Sequence, residues 1–155
     1  MPCKPCNYLA LLLSPAVAFY TDMSTLNTSK QHWLVLVFNI VTEQYFVHVS
    51  EVLASVQKME ESLRRLKRVR DTRSATGGKE EVSNKVSDDD KIRLQLYLDV
   101  SHYLGRISEE FGLDLVEVSK AKELDEIVSD ATKNYEDVRV RYCLLYTSPS
   151  PRDRG

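Results

Sequence analysis

The run "VSEVLASVQKMEESLRRLKRVR" (residues 49–70) decides the fold class. Val49, Val52, Val56, Met59, Leu63 and Leu66 recur at alternating spacings of three and four, an a/d heptad seam with valine, methionine and leucine as knobs. Leu53 widens the stripe into the broader face of a bundle helix. Glu60–Arg64 and Glu61–Arg65 are i,i+4 pairs with the acid first, the better orientation on a helix. No glycine or proline interrupts Thr42 to Ala75, so the pattern predicts one helix within residues 42–72. From about Tyr45 to Arg70 it would run roughly 39 Å.

Towards the C-terminus the pattern stops in "RDTRSATGGKEEVSNKVS" (residues 70–87). Charge is high, Ser, Thr, Gly and Asn are frequent, and no apolar face exists, so residues 73–86 read as a disordered linker. A C-terminal helical region is expected over 87–140. Ile92, Leu96, Val100, Tyr103, Leu104, Ile107 and Phe111 share one helical face. Leu94 and Leu98 lie off it, which predicts neighbours on two sides. Gly105 lies inside this helix and weakens it, and Gly112 suits its left-handed end, with Leu113 folding back. A third helix is expected from about Lys120 to Asn134, capped by Ser119, with Leu124, Ile127, Val128 and Ala131 inward. The expected fold class is all-α: a long amphipathic helix and two shorter ones in a partial bundle or coiled coil, with a flexible linker and irregular termini.

Towards the N-terminus the composition changes abruptly. Residues 1–41 hold only Lys4, Asp22 and Lys30 as charges, whereas 42–140 hold 16 Lys/Arg and 21 Asp/Glu. No helical or strand period holds in 1–41, so this segment reads as unrelated to the rest of the chain. Ala16-Val17-Ala18 imitates a signal-peptide cleavage site, with Lys4 as a thin positive region. "WLVLVFNIV" (Trp33–Val41) is too short for a membrane span and reads as a strand or a buried stub. The chain carries a formal net charge of −2, which makes no case for nucleic acid.

Chemistry-bearing residues are few. Asp88, Asp89 and Asp90 are the first candidates for a metal. Consecutive helical residues point about 100° apart, so three adjacent carboxylates diverge. Ser87 with Asp90 instead forms a Ser-x-x-Asp capping box, and the acids suit the positive end of a helix dipole. Cys3 and Cys6 form a Cys-x-x-Cys without a second ligand pair, and Cys143 makes no disulfide framework. His48 and His102 have no nucleophile nearby in sequence. No residue set implies a cofactor, a metal or a catalytic role. Arg64, Arg65, Lys67, Arg68 and Arg70 form a basic cluster that could meet an anionic membrane surface; the competing reading is a solvated helix end whose cations suit the dipole.

Two runs carry a family resemblance. "SEVLASVQKMEESLRRLK" (Ser50–Lys67) and "SDDDKIRLQLYLDV" (Ser87–Val100), in this order with a low-complexity spacer, resemble the C-terminal end of the conserved oligomeric Golgi complex subunit 2 family. The similarity continues through "YLGRISEEFGL" (Tyr103–Leu113) and covers about Thr42 to Asp130. The resemblance implies a non-enzymatic subunit of a tethering complex, peripheral on the cytosolic face of the Golgi and active in retrograde intra-Golgi transport. Its implied partners are other subunits of that complex and vesicle-fusion machinery, with peripheral membrane association and no nucleic acid. Val49, Val52, Val56, Met59, Leu63, Leu66, Ile92, Leu96, Val100 and Leu104 are the expected partner-packing residues. "CLLYTSPSPRD" (Cys143–Asp153) resembles the conceptual translation of a sequencing adapter, so 141–155 is expected to be disordered and stands apart from the fold.

Overall fold

A computed structural model describes residues 2, 4–22, 27–73 and 87–133. Four helices account for its regular structure: α1 (Tyr8–Asp22), α2 (Asn27–Arg73), α3 (Asp88–Phe111) and α4 (Ala121–Thr132). The described residues are all-α, as the seam predicts. Of the expected linker at 73–86, Arg73 is the last residue of α2; the rest of it and the tail at 141–155 lie outside the described residues.

The helix carrying the seam is much longer than expected. α2 has 47 residues and so spans about 70 Å. It begins before the composition break and runs through Thr42 without interruption. Its sequence shows why: no glycine or proline occurs from Asn27 to Arg73. Leu34, Phe38, Thr42, Val49 and Val56 are all buried, on one stripe that crosses the expected boundary. Trp33–Val41 is therefore helix rather than strand. The same correction applies to α1, where Leu9 and Leu13 point inward. Leu11, Leu12 and Phe19 face outward and are equally apolar, so hydropathy shows no period there. The Ala16-Val17-Ala18 run lies inside α1, with Ala16 and Val17 packed against the core.

α3 starts and stops where its sequence says it should. Ser87 is extended (φ −65°, ψ 159°), and its Oγ accepts the Asp90 N–H at 3.2 Å. Only half of the capping box forms: the Asp90 carboxylate turns away and accepts from Arg93 at 3.3 Å. At the other end Gly112 takes φ 63°, ψ 27°, and its N–H donates to the Ile107 carbonyl. Leu113 then folds back into the core. α4 departs from expectation at its start. Lys120, with φ 63°, precedes it without a side-chain cap. Ser119 serves a different neighbour: its N–H donates to Asn39 Oδ1 at 2.7 Å and its hydroxyl to Glu43 Oε1 at 2.8 Å. The loop before α4 is thereby fastened to α2.

α3 is the central element. Phe111 meets Phe38 and Tyr20 edge-on, with ring centroids 4.9 and 5.5 Å apart, joining α2 and α1 at one end. Tyr103 is enclosed beside Tyr45 at 5.1 Å, and its hydroxyl lies 2.9 Å from that of Thr42. Further on, Arg93 reaches Glu60 at 2.9 Å. These contacts run in opposite order along the two helices, so α2 and α3 are antiparallel. Leu124 and Val128 of α4 complete the core beside Leu104 and Ile107.

The two glycines should respond oppositely to alanine. A Cβ at Gly105 would meet nothing within 4 Å, so Gly105→Ala should stabilise by about 0.4–1 kcal/mol through helix propensity and a less flexible unfolded chain. Gly112→Ala must hold φ 63° and should destabilise by about 1–2 kcal/mol. Urea midpoints moving in opposite directions would bear this out; a shared direction would refute it.

Candidate functional site: a half-occupied helix seam

The expected partner-packing residues divide into two sets. Val49 and Val56 of α2, and Val100 and Leu104 of α3, are buried in this chain's own core. Leu96 packs against that core. These residues are not available to an outside helix. Val52, Met59, Leu63, Leu66 and Ile92 remain exposed, with Met59 at 52%, Leu63 at 50% and Leu66 at 66%. Spacing places the whole seam on one side of α2, but it cannot say how far along that side other helices extend.

They extend as far as Glu60. There Arg93, itself mostly buried, bridges Asp90 and Glu60 and ties α3 to α2. Hydrogen bonding from Arg93, and the charge of Arg64, hold the Glu60 carboxyl below its ordinary pKa. Every residue from Glu61 to Arg70 is exposed. Among the described residues, α2 thus projects beyond the bundle and carries the second half of its seam uncovered. Two cations of the basic cluster are paired on their own helix, Arg64 with Glu60 at 2.7 Å and Arg65 with Glu61 at 2.5 Å. Arg68 lies on the same exposed stretch. This pairing does not favour the membrane-surface reading of the cluster.

Where the seam meets the bundle it opens into an apolar groove of about 540 Å³ between α1, α2 and α3. Tyr8 and Leu12 line it from α1, Val41, His48 and Val52 from α2, and Leu96 from α3. The Tyr8 and Tyr45 hydroxyls, 3.0 Å apart, close one end.

One polar residue was not singled out from the sequence. Asp99 is buried on α3 and accepts the Cys6 N–H at 2.6 Å and Gln95 Nε2 at 2.8 Å. Gln95 also donates to the Lys4 carbonyl at 3.0 Å. Together they strap the segment before α1 onto α3. The available signal was an aspartate between Leu98 and Val100, inside an otherwise apolar stretch. Burial first, then the Asp99 carboxylate, pushes the Cys6 thiol up. Cys3 lies outside the described residues. Burial likewise raises Tyr45, and it raises Tyr103 to about 12 against the opposing effect of the hydrogen bond with Thr42. These groups are held protonated, as hydrogen-bonding posts. Among the described residues no group of three His, Cys, Asp or Glu side chains could hold a metal ion. No helix among them is long and apolar enough to cross a membrane.

An all-α bundle from which one seam-bearing helix projects is the class that this fold defines among the described residues. The chain belongs to the family described as COG complex component, COG2, C-terminal, whose model matches residues 1–100. The match takes in residues 1–41, in step with the passage of α2 through Thr42. The chain is 46% identical over 106 residues to the human protein "Conserved oligomeric Golgi complex subunit 2", covering 65% of this chain and 13% of that one. It is 37% identical over 135 residues to the Drosophila melanogaster protein of the same name, covering 86% of this chain and 19% of that one. The Dictyostelium discoideum counterpart is 30% identical over 122 residues. The chain therefore corresponds to less than a fifth of the length of these relatives. No solved structure matches it.

Two outcomes are expected from the buried polar groups. Asp99→Ala should cost about 1–3 kcal/mol, because the Cys6 N–H and Gln95 lose their acceptor. With Cys3 and Cys143 changed to serine, the Cys6 thiol should also label faster; unchanged labelling would show that the strap does not depend on Asp99. The second outcome concerns alkali. The folded chain keeps the Tyr103 proton up to about 12, whereas the unfolded chain releases it from 10. In that window the native state binds more protons, so stability falls as pH rises, by about 2–3 kcal/mol from this one group. Tyr103→Phe should flatten the dependence of the urea midpoint on pH in this window; an unchanged slope would refute the assignment.

Proposed function

We propose that this chain is a C-terminal piece of a Golgi vesicle-tethering subunit that acts without catalysis, by packing its helices against other helices of the same subunit or of neighbouring subunits. The uncovered half of the α2 seam carries this reading. A helix that reaches α3 through Glu60 and continues, exposed among the described residues, with Leu63 and Leu66 at heptad positions is built to meet another helix. Family membership supports the setting, since the relatives are named as subunits of a conserved oligomeric Golgi complex. On this reading the chain works on the cytosolic face of the Golgi, peripherally, in retrograde intra-Golgi transport, with vesicle-fusion machinery among the factors that the assembled complex meets.

The test is association in cells. A tagged chain should co-purify with other subunits of the Golgi complex and co-localise with them. Met59→Asp together with Leu63→Asp should reduce recovery at least about tenfold, since each charge would have to be buried against the partner's seam. Circular dichroism should be unaltered, because both side chains lie outside the bundle. Undiminished co-purification of the double variant would remove the seam from the contact, and absence of the wild-type chain from the complex would remove the reading.

A further inference from the structure

The uncovered seam also carries information about what covers it. Beyond Leu66 the next a position is Arg70, and the e position beside Leu66 is Lys67. Neither makes an ion pair among the described residues, whereas Arg64 and Arg65 are paired with Glu60 and Glu61. Glu60, the e residue one heptad earlier, is already held by Arg93 and Arg64. The exposed stretch from Glu61 to Arg70 holds Arg64, Arg65, Lys67, Arg68 and Arg70 against Glu61 alone, so the charge beside the seam is positive. At the other end the seam passes through Val52 into the groove beside Val41 and His48, which has no carboxylate or Lys/Arg in its lining. From Val41 to Arg70 the path is about 44 Å, roughly four heptads of helix.

From this we infer that the groove and seam together form one docking track for an amphipathic helix of about four heptads with acidic flanks, its apolar stripe lying along Val41, Val52, Met59, Leu63 and Leu66 and its acidic end beside Lys67 and Arg70. The spacing specifies a helix, since knobs at alternating three and four meet holes only in another helix. Charge selects its flanks: a basic helix would set like charges against Lys67 and Arg70. A second copy in parallel register would place the same cations against one another. The inference rests on the helix-packing reading above and specifies the partner's chemistry.

Two designed peptides of about four heptads test it, each with leucine at a and d, one with glutamate and the other with lysine at every e and g. Like charges along each peptide oppose self-pairing. Binding to the full chain is followed by fluorescence anisotropy. The glutamate peptide should bind at least about tenfold more tightly than the lysine peptide, and the gap should narrow as salt rises. Met59→Asp with Leu63→Asp should abolish binding, and Lys67→Glu with Arg70→Glu should reverse the preference. These side chains are exposed outside the bundle, so the circular dichroism of each variant should match that of the wild type. Equal binding of the two peptides, or binding of neither, would overturn the inference and leave co-purification with the complex as an independent result. Sedimentation showing a dimer of the chain alone, lost in the Met59/Leu63 variant, would give the track to a second copy and overturn it. Seam-dependent binding to phosphatidylserine vesicles without peptide binding would overturn it in favour of lipid. A retained glutamate preference with failed co-purification would instead count against the tether reading alone.

Discussion

A phenol enclosed from solvent sets the arrangement of this bundle. Tyr103 is fully buried, and leaving its hydroxyl unpaired would cost about 1–3 kcal/mol. The hydroxyl of Thr42, also buried, answers it from α2. That pair allows little slack. Moving one helix by a single residue shifts it about 1.5 Å along its axis and turns it about 100°, which breaks the contact and buries two hydroxyls unpaired. Tyr45, one turn along from Thr42, presses edge-on against the same ring and opposes rotation. With the register fixed there, Phe38 falls opposite Phe111 one turn earlier on α2, and Glu60 falls opposite Arg93 at the far end. The two flanking contacts are consequences of the central one.

This constraint explains why residues 1–41 cannot be separated from the rest. Phe38 and Leu34 continue the stripe that Thr42 and Val49 begin, so the composition break falls within one helix. α1 is joined to the same framework at three points. Tyr20 meets Phe111 at one end, the Tyr8 hydroxyl meets Tyr45, and Asp99 holds the Cys6 amide at the other end. Asp99 takes two hydrogen bonds, from a backbone amide and from Gln95, which answers the requirement that a buried carboxylate be paired. Few apolar contacts could fix the axial position of a helix as featureless as α1. A polar latch can, because it has one satisfied geometry.

What could be read from the sequence depended on how local each signal was. α3 is bounded by Ser87 and Gly112, whose effects act within a few residues, and both operate as expected. The heptad seam on α2 is also a local pattern, and it correctly gave the all-α architecture of the described residues. Three features were not legible. α1 and the first half of α2 are apolar on inward and outward faces alike, so Leu11 hides the period that Leu9 and Leu13 define. Ser119 has the right type and place for a cap, but Asn39 and Glu43, some eighty residues earlier, compete for it and win. The seam residues share one pattern, yet Val56 is buried and Leu63 exposed, because occupancy depends on where α3 begins. Ser87 and Arg93 decide that, and nothing inside the seam records it.

The projecting end of α2 can be understood on the same terms. An isolated helix of its length would be marginal in water, since nucleation is costly and exposed residues gain little by ordering. Here the bundle has already formed the nucleus, and each further turn needs only propagation. The pairs Glu60–Arg64 and Glu61–Arg65 add about 0.3–0.5 kcal/mol each in the favourable orientation. Those terms explain why the extension is helical, but not why its apolar residues stay in register with the buried half of the seam. Solvation alone would place polar residues at 63 and 66, as it does at the exposed positions between them. Leucine at both, on the a/d line of Val49 and Val56, has a physical rationale only if that line is covered when the chain is at work. The exposed seam is thus the part of the molecule whose sequence the fold of the described residues does not explain, and the proposed docking of a second helix would account for it.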